Sequence, residues 1–471
     1  MTLINNMKEW KIKNLDSKSS SFCGAKWYNA SMWLFTGMTT SCHHNPPHQI
    51  DLEEIKTNPK ALHNTTVKKN ERKMMQRGEK PINCQFCWVM EQTDPDGLAD
   101  RTWLSTPSSE KELEDAFTQS TQFDYDLNYL ELSFDRTCNL ACSYCCPAIS
   151  SSWARDIRQN GPYTGLATDS RNHYVGTADE NIQHKPNESN PYADAFFKWW
   201  EDSLHSSLRT LRLTGGEPMM SGETWKLFDW LKHNRYKTNV AIHITTNLSY
   251  SDEIMSRFLD TIQDAGITVE IYTSGETLDE KAEYIRDGLE WAQWIKNIER
   301  ALACESVTRV SICGTISAGA AEGFPDFLRW LAKQKLLHGK RTLTHTGIKE
   351  LELSVNPVRF PTFQNIVVLP ETLRNELAQE IKTILAENDC FSLFEQDHIS
   401  RFATYLTDVA APHRTDKMQH DSSEFKDSVD SIDIPALQQD FKRFFTQYDQ
   451  RRGQDFVKTF PRLKEWYNSI Q

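Results

Sequence analysis

Three cysteines lie close together after a strand-like run in LNYLELSFDRTCNLACSYCCP, residues 127–147. They are Cys138, Cys142 and Cys145, with three residues between the first two and two residues between the last two. Three thiolates on one short loop can bind three irons of a [4Fe-4S] cluster and leave the fourth iron without a protein ligand. Such an open position is where a metal site does its chemistry. A zinc loop and a group of buried thiols are the alternative interpretations of this spacing.

Four further cysteines form a second group, which we call the N-terminal quartet: Cys23, Cys42, Cys84 and Cys87. Two residues separate the last pair, in PINCQFCW. Four thiolates make a closed metal site, either for structural zinc or for a fully ligated iron–sulfur cluster. Spacing alone favours zinc, because structural zinc is the commoner use of paired cysteines.

Several histidines lie near the second cysteine of the quartet, at positions 43, 44, 48 and 63. Imidazole binds iron and zinc alike, so a ligand role is one interpretation. The other is that they are polar loop residues that pack beside a site already supplied with four thiols.

Six strand-like runs alternate with amphipathic helical stretches in the middle of the chain, at 128–135, 208–214, 239–246, 267–273, 307–313 and 349–355. This alternation predicts an α/β fold with a parallel sheet. In parallel sheets and barrels the reactive groups gather at the carboxyl ends of the strands. The cysteine trio follows the first of these runs, so it is expected at that end.

Other candidate residues follow the next strands. Gly215, Gly216 and Glu217 lie in Thr-Gly-Gly-Glu-Pro after the second run, Asn247 follows the third, and Ser274 lies at the end of the fourth. Glycines allow a ligand to approach the backbone closely. For Asn247 and Ser274 the alternative interpretation is turn capping.

The two motifs together resemble the signatures of the radical SAM superfamily. The first is C-x3-C-x-aromatic-C, with Tyr144 at the aromatic position, and the second is Thr-Gly-Gly-Glu-Pro at 214–218. The resemblance implies a partial (β/α)6 barrel in which Cys138, Cys142 and Cys145 hold a [4Fe-4S] cluster that binds S-adenosylmethionine (SAM).

The resemblance also assigns contacts to SAM. The Thr-Gly-Gly-Glu-Pro edge would hold its amino group, Asn247 matches a SAM-contacting position, and Ser274 matches the hydroxyl that contacts the ribose. Arg286, in YIRDGLEW, matches an arginine that reaches the SAM carboxylate, for which a guanidinium is well suited. The alternative for Arg286 is an exposed charge on a helix.

The N-terminal quartet resembles the auxiliary-cluster module called twitch or SPASM, which occurs in many radical SAM enzymes. The match is C-x(9–15)-G-x4-C followed by C-x2-C, with a β-hairpin and a helix between. Here the module precedes the barrel, whereas in familiar enzymes it follows it, and the later cysteines of a full SPASM domain are missing. The resemblance therefore implies one auxiliary [4Fe-4S] cluster, of the twitch type.

The predicted organisation has three parts. A small Cys-rich α+β module with a linker covers 1–122, the radical SAM partial barrel covers 123–358 with an insertion at 155–190, and a helical extension covers 359–471. We expect the insertion to be either a substrate-recognition lid or disordered, as is usual for a long polar loop.

Composition limits the partners. The net charge of -12 argues against a nonspecific nucleic-acid binder, because such proteins need a basic excess. No stretch approaches the roughly 20 apolar residues of a membrane span, and the first residues lack the apolar core of a signal peptide. We therefore expect a cytoplasmic protein without a membrane partner, in which the 11 cysteines serve metal ligation more than disulfides.

The implied activity is reductive cleavage of SAM to a 5'-deoxyadenosyl radical, which abstracts hydrogen from a substrate. Among relatives with such modules many act on peptides, so a peptide substrate is favoured, by analogy of fold. An electron donor such as flavodoxin or ferredoxin is expected. The alternatives are a non-catalytic iron–sulfur or zinc-binding scaffold, and a radical SAM enzyme that acts on a nucleoside, RNA or a carbohydrate.

Overall fold

A ten-stranded sheet forms the centre of the structure, which is a computed structural model. It describes residues 2–93, 98–184, 188–338, 341–343, 347–408 and 433–471. The described strands are, in chain order, β1 Asn29–Trp33, β2 Met38–Thr40, β3 His48–Gln49, β4 Tyr129–Ser133, β5 Ala141–Cys142, β6 Thr210–Thr214, β7 Ala241–Thr245, β8 Val269–Ser274, β9 Arg286–Asp287, β10 Val307–Ile316, β11 Arg341–Leu343 and β12 Gly347–Pro357.

The α-helices of the first half of the described chain are α1 Thr2–Lys11, α2 Ala25–Tyr28, α3 Leu52–Thr57, α4 Thr66–Gln76, α5 Gln85–Thr93, α6 Asp100–Trp103, α7 Glu110–Thr118, α8 Ser151–Asn160, α9 Pro191–Trp199, α10 His205–Ser207 and α11 Gly222–Asn234. Those of the second half are α12 Asp252–Asp264, α13 Asp279–Ile285, α14 Trp291–Ala303, α15 Ala318–Ala321, α16 Phe324–His338, α17 Glu371–Glu387, α18 Leu393–Thr407, α19 Ile434–Arg452, α20 Phe456–Thr459 and α21 Lys464–Ser469. None of the described helices is long and apolar enough to cross a membrane.

The strand order is β11-β12-β10-β8-β7-β6-β4-β1-β2-β3. All neighbours from β12 to β1 pair in parallel, while β11, β2 and β3 are antiparallel additions at the two edges. From β4 to β12, the parallel strands lie side by side in the sheet in the same order as in the chain. Because such crossovers are right-handed, the connecting helices lie on one face and leave the other face free.

The helix-free face is polar, and we call it the polar face. Glu131, Arg212, His243, Glu270 and Arg309 lie side by side in register across five parallel strands. All five are half-buried, and their neighbours along each strand are mainly buried apolar residues that face the helices. A row of partly hydrated charges is typical of the lining of a cavity, because charges are costly to bury without partners.

The predicted α/β class with a large parallel sheet is confirmed. All six strand-like runs are strands of this sheet. Closure of the sheet into a partial (β/α)6 barrel stays a prediction. The sequence did not predict that β1, from the N-terminal region, is a seventh parallel strand that pairs with β4. Residues on both sides of position 122 therefore contribute to one sheet, and the domain boundaries themselves remain a prediction.

The helix α19 packs against the loop that follows β4. The Tyr448 hydroxyl donates to the backbone oxygen of Tyr284 at 3.1 Å and lies 3.5 Å from that of Ala141. Four residues on, Arg452 Nε donates to Asp287 at 2.9 Å. The described residues of the C-terminal region thus include a helix that covers the cysteine-bearing loop.

Candidate active site and auxiliary cysteine site

The cysteine trio lies on the loop of residues 134–150, which we call the cysteine loop. The loop begins one residue after β4, at its carboxyl end, as the sequence predicted. Cys142 ends β5, which pairs with β9 so that Cys142 lies opposite Arg286. Ser151 accepts a hydrogen bond from the Cys138 backbone N–H at 3.0 Å. The loop is therefore anchored at several points along its length.

Cys138 is buried, Cys142 and Cys145 are partly buried, and the three thiols are close enough to influence one another. Burial, followed by the neighbouring Cys142 thiol, raises the pKa of Cys138 to about 12. Burial likewise raises the pKa of Cys145 well above its ordinary value, with further contributions from Cys142, Cys146 and Cys138. Buried thiols of this kind lose their protons when a metal ion takes the place of the proton. This donor set fits an iron–sulfur cluster.

Gly215 and Gly216 are contacted by the backbone of the cysteine loop. A Cβ at Gly215, where φ is +129°, would lie 2.7 Å from the Asp135 carbonyl oxygen, and one at Gly216 would lie 2.5 Å from that of Arg136. The next backbone N–H, of Glu217, donates to Thr137 at 2.6 Å. The two glycines thus allow the Thr-Gly-Gly-Glu-Pro turn to lie close to the backbone of the cysteine loop.

Glu217 joins the ends of β6 and β7. Its buried carboxylate accepts hydrogen bonds from the Thr246 hydroxyl and the Asn247 backbone N–H, both at 2.7 Å, and from the Met219 N–H at 3.1 Å. Burial raises the pKa of Glu217 to about 7. Asn247 in turn donates to Asn139 at 2.8 Å, and its amide nitrogen lies 3.9 Å from the Cys138 sulfur. Glu217 and Asn247 therefore lie beside the cysteine loop.

Arg286 and Tyr144 share a buried carboxylate, that of Glu276. Arg286 donates to both of its oxygens, at 3.0 and 2.8 Å, and the Tyr144 hydroxyl donates to one of them at 3.0 Å. Another Arg286 nitrogen lies 3.8 Å from the Cys142 sulfur. The side chain of Arg286 is 6% exposed, so the alternative of an exposed helix charge is wrong. Its predicted contact with the SAM carboxylate stays a prediction.

Ser274 lies at the end of β8. It is half-buried and lies opposite Cys313 of β10. None of the described hydrogen bonds joins it to the cysteine loop. Its predicted contact with a ribose remains untested by the geometry.

The N-terminal quartet converges although its members come from three separate segments. All four cysteines line one cavity, together with Lys26. Burial, followed by the nearby Cys84 and Cys42 thiols, raises the pKa of Cys23 to about 11. Lys26 is buried and forms an ion pair with Glu71 at 2.5 Å. Four clustered thiols again fit a metal or an iron–sulfur cluster, which would replace their protons.

The two cysteine groups lie at opposite ends of two neighbouring parallel strands, β1 and β4. Cys23 precedes α2, which leads directly into the amino end of β1, and Cys42 follows the end of β2, which is antiparallel to β1. The cysteine loop leaves the carboxyl end of β4, the parallel neighbour of β1. Five residues of strand span about 16 Å. Glu131 of the polar face lies at the middle of β4, between these two ends.

Two features of the site were not predicted from the sequence. Glu276 could have been noticed, because it follows YTSG two residues beyond a strand end, where reactive groups gather. The polar face also has a sequence signal, since each strand carries one charged residue between apolar ones, as in LELS, LRLT and IHIT.

Sequence comparison finds a relative over part of the chain. No protein-family model matches the chain. GTP 3',8-cyclase of Campylobacter jejuni subsp. doylei, a radical SAM enzyme, is 24% identical over 160 residues, which cover 34% of this chain and 38% of the cyclase. The matched part is thus about two fifths of that relative.

Two solved structures of Streptococcus suis SuiB are also similar. The one bound to S-adenosylmethionine has a TM-score of 0.28 and 13% identity and covers 76% of this chain and 68% of SuiB. The other has a TM-score of 0.21 and 12% identity, with 69% and 70% covered. TM-scores this low do not establish a shared fold. Over the matched third of the chain, the similarity to the cyclase agrees with the resemblance of the two motifs to the radical SAM signatures.

Proposed function

We propose that this protein is a radical SAM enzyme that cleaves SAM reductively and abstracts hydrogen from a substrate bound at the polar face. One observation carries the proposal: three cysteines on one loop, one buried and two partly buried, lie at the carboxyl end of β4, against the Thr-Gly-Gly-Glu-Pro turn. Cys138, Cys142 and Cys145 would hold a [4Fe-4S] cluster there, which would supply the electron for reductive cleavage of a C–S bond of SAM.

The spacing of the thiols supports a cluster over a single zinc ion. Zinc bonds of about 2.3 Å bring tetrahedrally arranged sulfurs to about 3.8 Å from one another. Among the described residues, no three cysteine sulfurs all lie within 4.8 Å of one another. A cubane, whose irons each take one sulfur, accommodates a wider spacing.

The residues around the cysteine loop would position SAM and exclude water. Asn247 and Arg286 each bring a nitrogen near one cysteine sulfur, at 3.9 and 3.8 Å, so the carboxyl ends of β7 and β8 and the short β9 meet around the trio. Glu276 fixes the Arg286 guanidinium through two hydrogen bonds, and Tyr448 of α19 covers the loop from outside. Such enclosure favours radical chemistry, because water and side reactions are excluded.

The N-terminal quartet is proposed to hold an auxiliary [4Fe-4S] cluster. A second cavity, lined by Cys42 and by Glu131 of the polar face, joins the quartet to that face. A substrate on the polar face would therefore lie between the two cysteine groups, where an auxiliary cluster can exchange electrons with it. A peptide substrate stays a prediction from the family resemblance, and the polar face supports a polar ligand over an apolar one.

The test is anaerobic reconstitution with iron and sulfide, followed by SAM and dithionite. We expect a brown protein that releases 5'-deoxyadenosine, measured by liquid chromatography with mass spectrometry, above the level of the metal-free protein. Iron-loaded protein without 5'-deoxyadenosine would support the non-catalytic scaffold. Metal analysis that finds zinc and no iron would support the zinc-binding alternative.

A further inference from the structure

Three side chains outside the cysteine groups bring ligand atoms together beside the quartet. The ligand atoms of His43, His44 and Asp100 all lie within 4.8 Å of one another. The Nε2 atoms of both imidazoles face the same carboxylate oxygen: that of His43 lies 3.5 Å from Asp100 Oδ2, and that of His44 makes a short hydrogen bond to it. Neighbouring residues of one loop thus direct both rings to one point.

Packing fixes this arrangement. The His44 ring stacks on Phe86, with centroids 3.5 Å apart and an angle of 15° between the planes, and the His43 ring lies 3.9 Å from that of His44. Asp100 is followed by Arg101, whose buried guanidinium is held by Glu91. The side chain of His44 is 11% exposed and that of His43 is 66% exposed. One ligand is therefore preorganised, while another remains accessible to an entering ion.

The donor set fits a borderline divalent ion. Zinc bonds to imidazole nitrogen and carboxylate oxygen measure about 2.0–2.2 Å, so two such ligands on a tetrahedral ion lie about 3.4 Å apart. The separation of 3.5 Å between His43 Nε2 and Asp100 Oδ2 matches this spacing, whereas the short hydrogen bond between His44 and Asp100 would have to open for both to bind the ion. Imidazole ligands favour zinc, copper, iron or nickel over magnesium or calcium.

The site would keep an open position. His43 lines the cavity of about 250 Å³ that also contains Trp103, Tyr129 and Glu131. Three protein ligands leave at least one place for water, as in zinc sites that do chemistry. We propose that His43, His44 and Asp100 bind one divalent first-row transition ion, with Zn²⁺ as the representative, which presents its open position to this cavity. The proposal is independent of the proposed radical SAM function.

The experiment titrates Zn²⁺ into iron-loaded, full-length protein under anaerobic conditions. Zinc and iron are counted by mass spectrometry after desalting. We expect one zinc per chain in addition to the iron. His43→Ala and Asp100→Asn should each weaken zinc binding by more than the roughly 10–100-fold that loss of an outer-shell partner costs. His233→Ala, an exposed histidine far along the chain on α11, is the matched control and should bind zinc as the native protein does.

Because His43 is mostly exposed, its replacement should leave the thermal unfolding midpoint unchanged, which separates loss of a ligand from loss of the fold. Anomalous diffraction on both sides of the zinc absorption edge locates the ion. Density at the triad supports the site. Unchanged zinc binding in His43→Ala, no zinc bound by the native protein at micromolar concentration, or zinc located among the thiols would each overturn it.

Discussion

The cysteine loop and the N-terminal quartet hold their thiols in different ways. The loop carries three cysteines within eight consecutive residues, and Cys138 belongs to the main hydrophobic core. The quartet collects its thiols from segments that extend from residue 23 to residue 87, and it packs in a second, smaller hydrophobic cluster around Trp27 and Trp88. The first site is thus local in sequence, whereas the second depends on the packing of its module.

This difference indicates that the two sites have different roles. In the proposed function, the loop would leave one corner of a cubane without a thiol, and strand-end residues suited to bind a ligand surround it. The quartet supplies all four thiols, and a cluster with a complete ligand set is suited to electron transfer more than to catalysis. Substitution of a cysteine in the loop and of a cysteine in the quartet should therefore affect SAM cleavage differently.

The largest expected effect comes from Cys142→Ala. Removal of one of three ligands prevents cluster binding at the loop, so formation of 5'-deoxyadenosine should fall to the level of the metal-free protein. Cys313→Ala, which changes a cysteine outside both groups, serves as the control and should retain activity. Cleavage of SAM by Cys142→Ala at the native rate would refute the role of the loop.

Cys84→Ala should separate the two sites. We expect the iron content to fall by about half, because one of two cubanes is lost. SAM cleavage without substrate should stay within about threefold of the native rate, because the quartet does not contact SAM in the proposed mechanism. Iron analysis and the 5'-deoxyadenosine assay check both expectations. Equal loss of SAM cleavage in Cys84→Ala and Cys142→Ala would show that the loop and the quartet do not differ in their roles.

Gly216→Ala tests the contact between the second motif and the cysteine loop. The added Cβ would overlap the carbonyl oxygens of Arg136 and Thr137, which belong to backbone and cannot move aside. We expect a loss of about 3 kcal/mol in the free energy of unfolding, measured with urea.

The control for this substitution is Gly222→Ala. Gly222 begins α11 and has no neighbouring atom within 4 Å of an added Cβ, so the change should be smaller than about 1 kcal/mol. Similar effects of the two substitutions would show that the glycine motif is not shaped by contact with the loop.

The smallest expected effect is a pH dependence from Glu217. Its pKa rises from 4.5 to about 7 in the folded protein because the carboxyl group is buried. Between these values the folded state holds a proton that the unfolded state has lost, so stability falls as the pH rises from 4.5 to about 7. The loss should amount to roughly 1–3 kcal/mol. Urea unfolding at several pH values should show a flatter dependence in Glu217→Gln, and an unchanged slope would contradict the assignment.

Much of the fold could be predicted because its signals are local. Each of the six predicted strands has an apolar run that a turn signal ends, and the cysteine trio occupies one loop. The parallel pairing of β1 with β4 could not be predicted in this way. The two strands lie about a hundred residues apart, and the local pattern around β1 indicates only an antiparallel hairpin, which is also present.

The candidate site could be predicted where the position of a single residue, such as one at a strand end, indicates its role. The positions of Asn247 and Arg286 near cysteine sulfurs agree with their predicted locations at strand ends. The carboxylate of Glu276, which holds Arg286, was missed because an ion pair between residues ten positions apart leaves no periodic pattern. Convergence of the quartet was expected only from the family resemblance, since spacing alone does not bring three distant segments together.

Because α19 covers the cysteine loop, the order in which the two are synthesised affects how the site forms. The contact between Ala141 and Tyr448 joins residues 307 positions apart. At a synthesis rate of about 5–20 residues per second, the loop leaves the ribosome at least about fifteen seconds before the helix that encloses it. During that interval the loop lacks its outer cover, so a cluster of the kind proposed could be inserted before α19 encloses the loop.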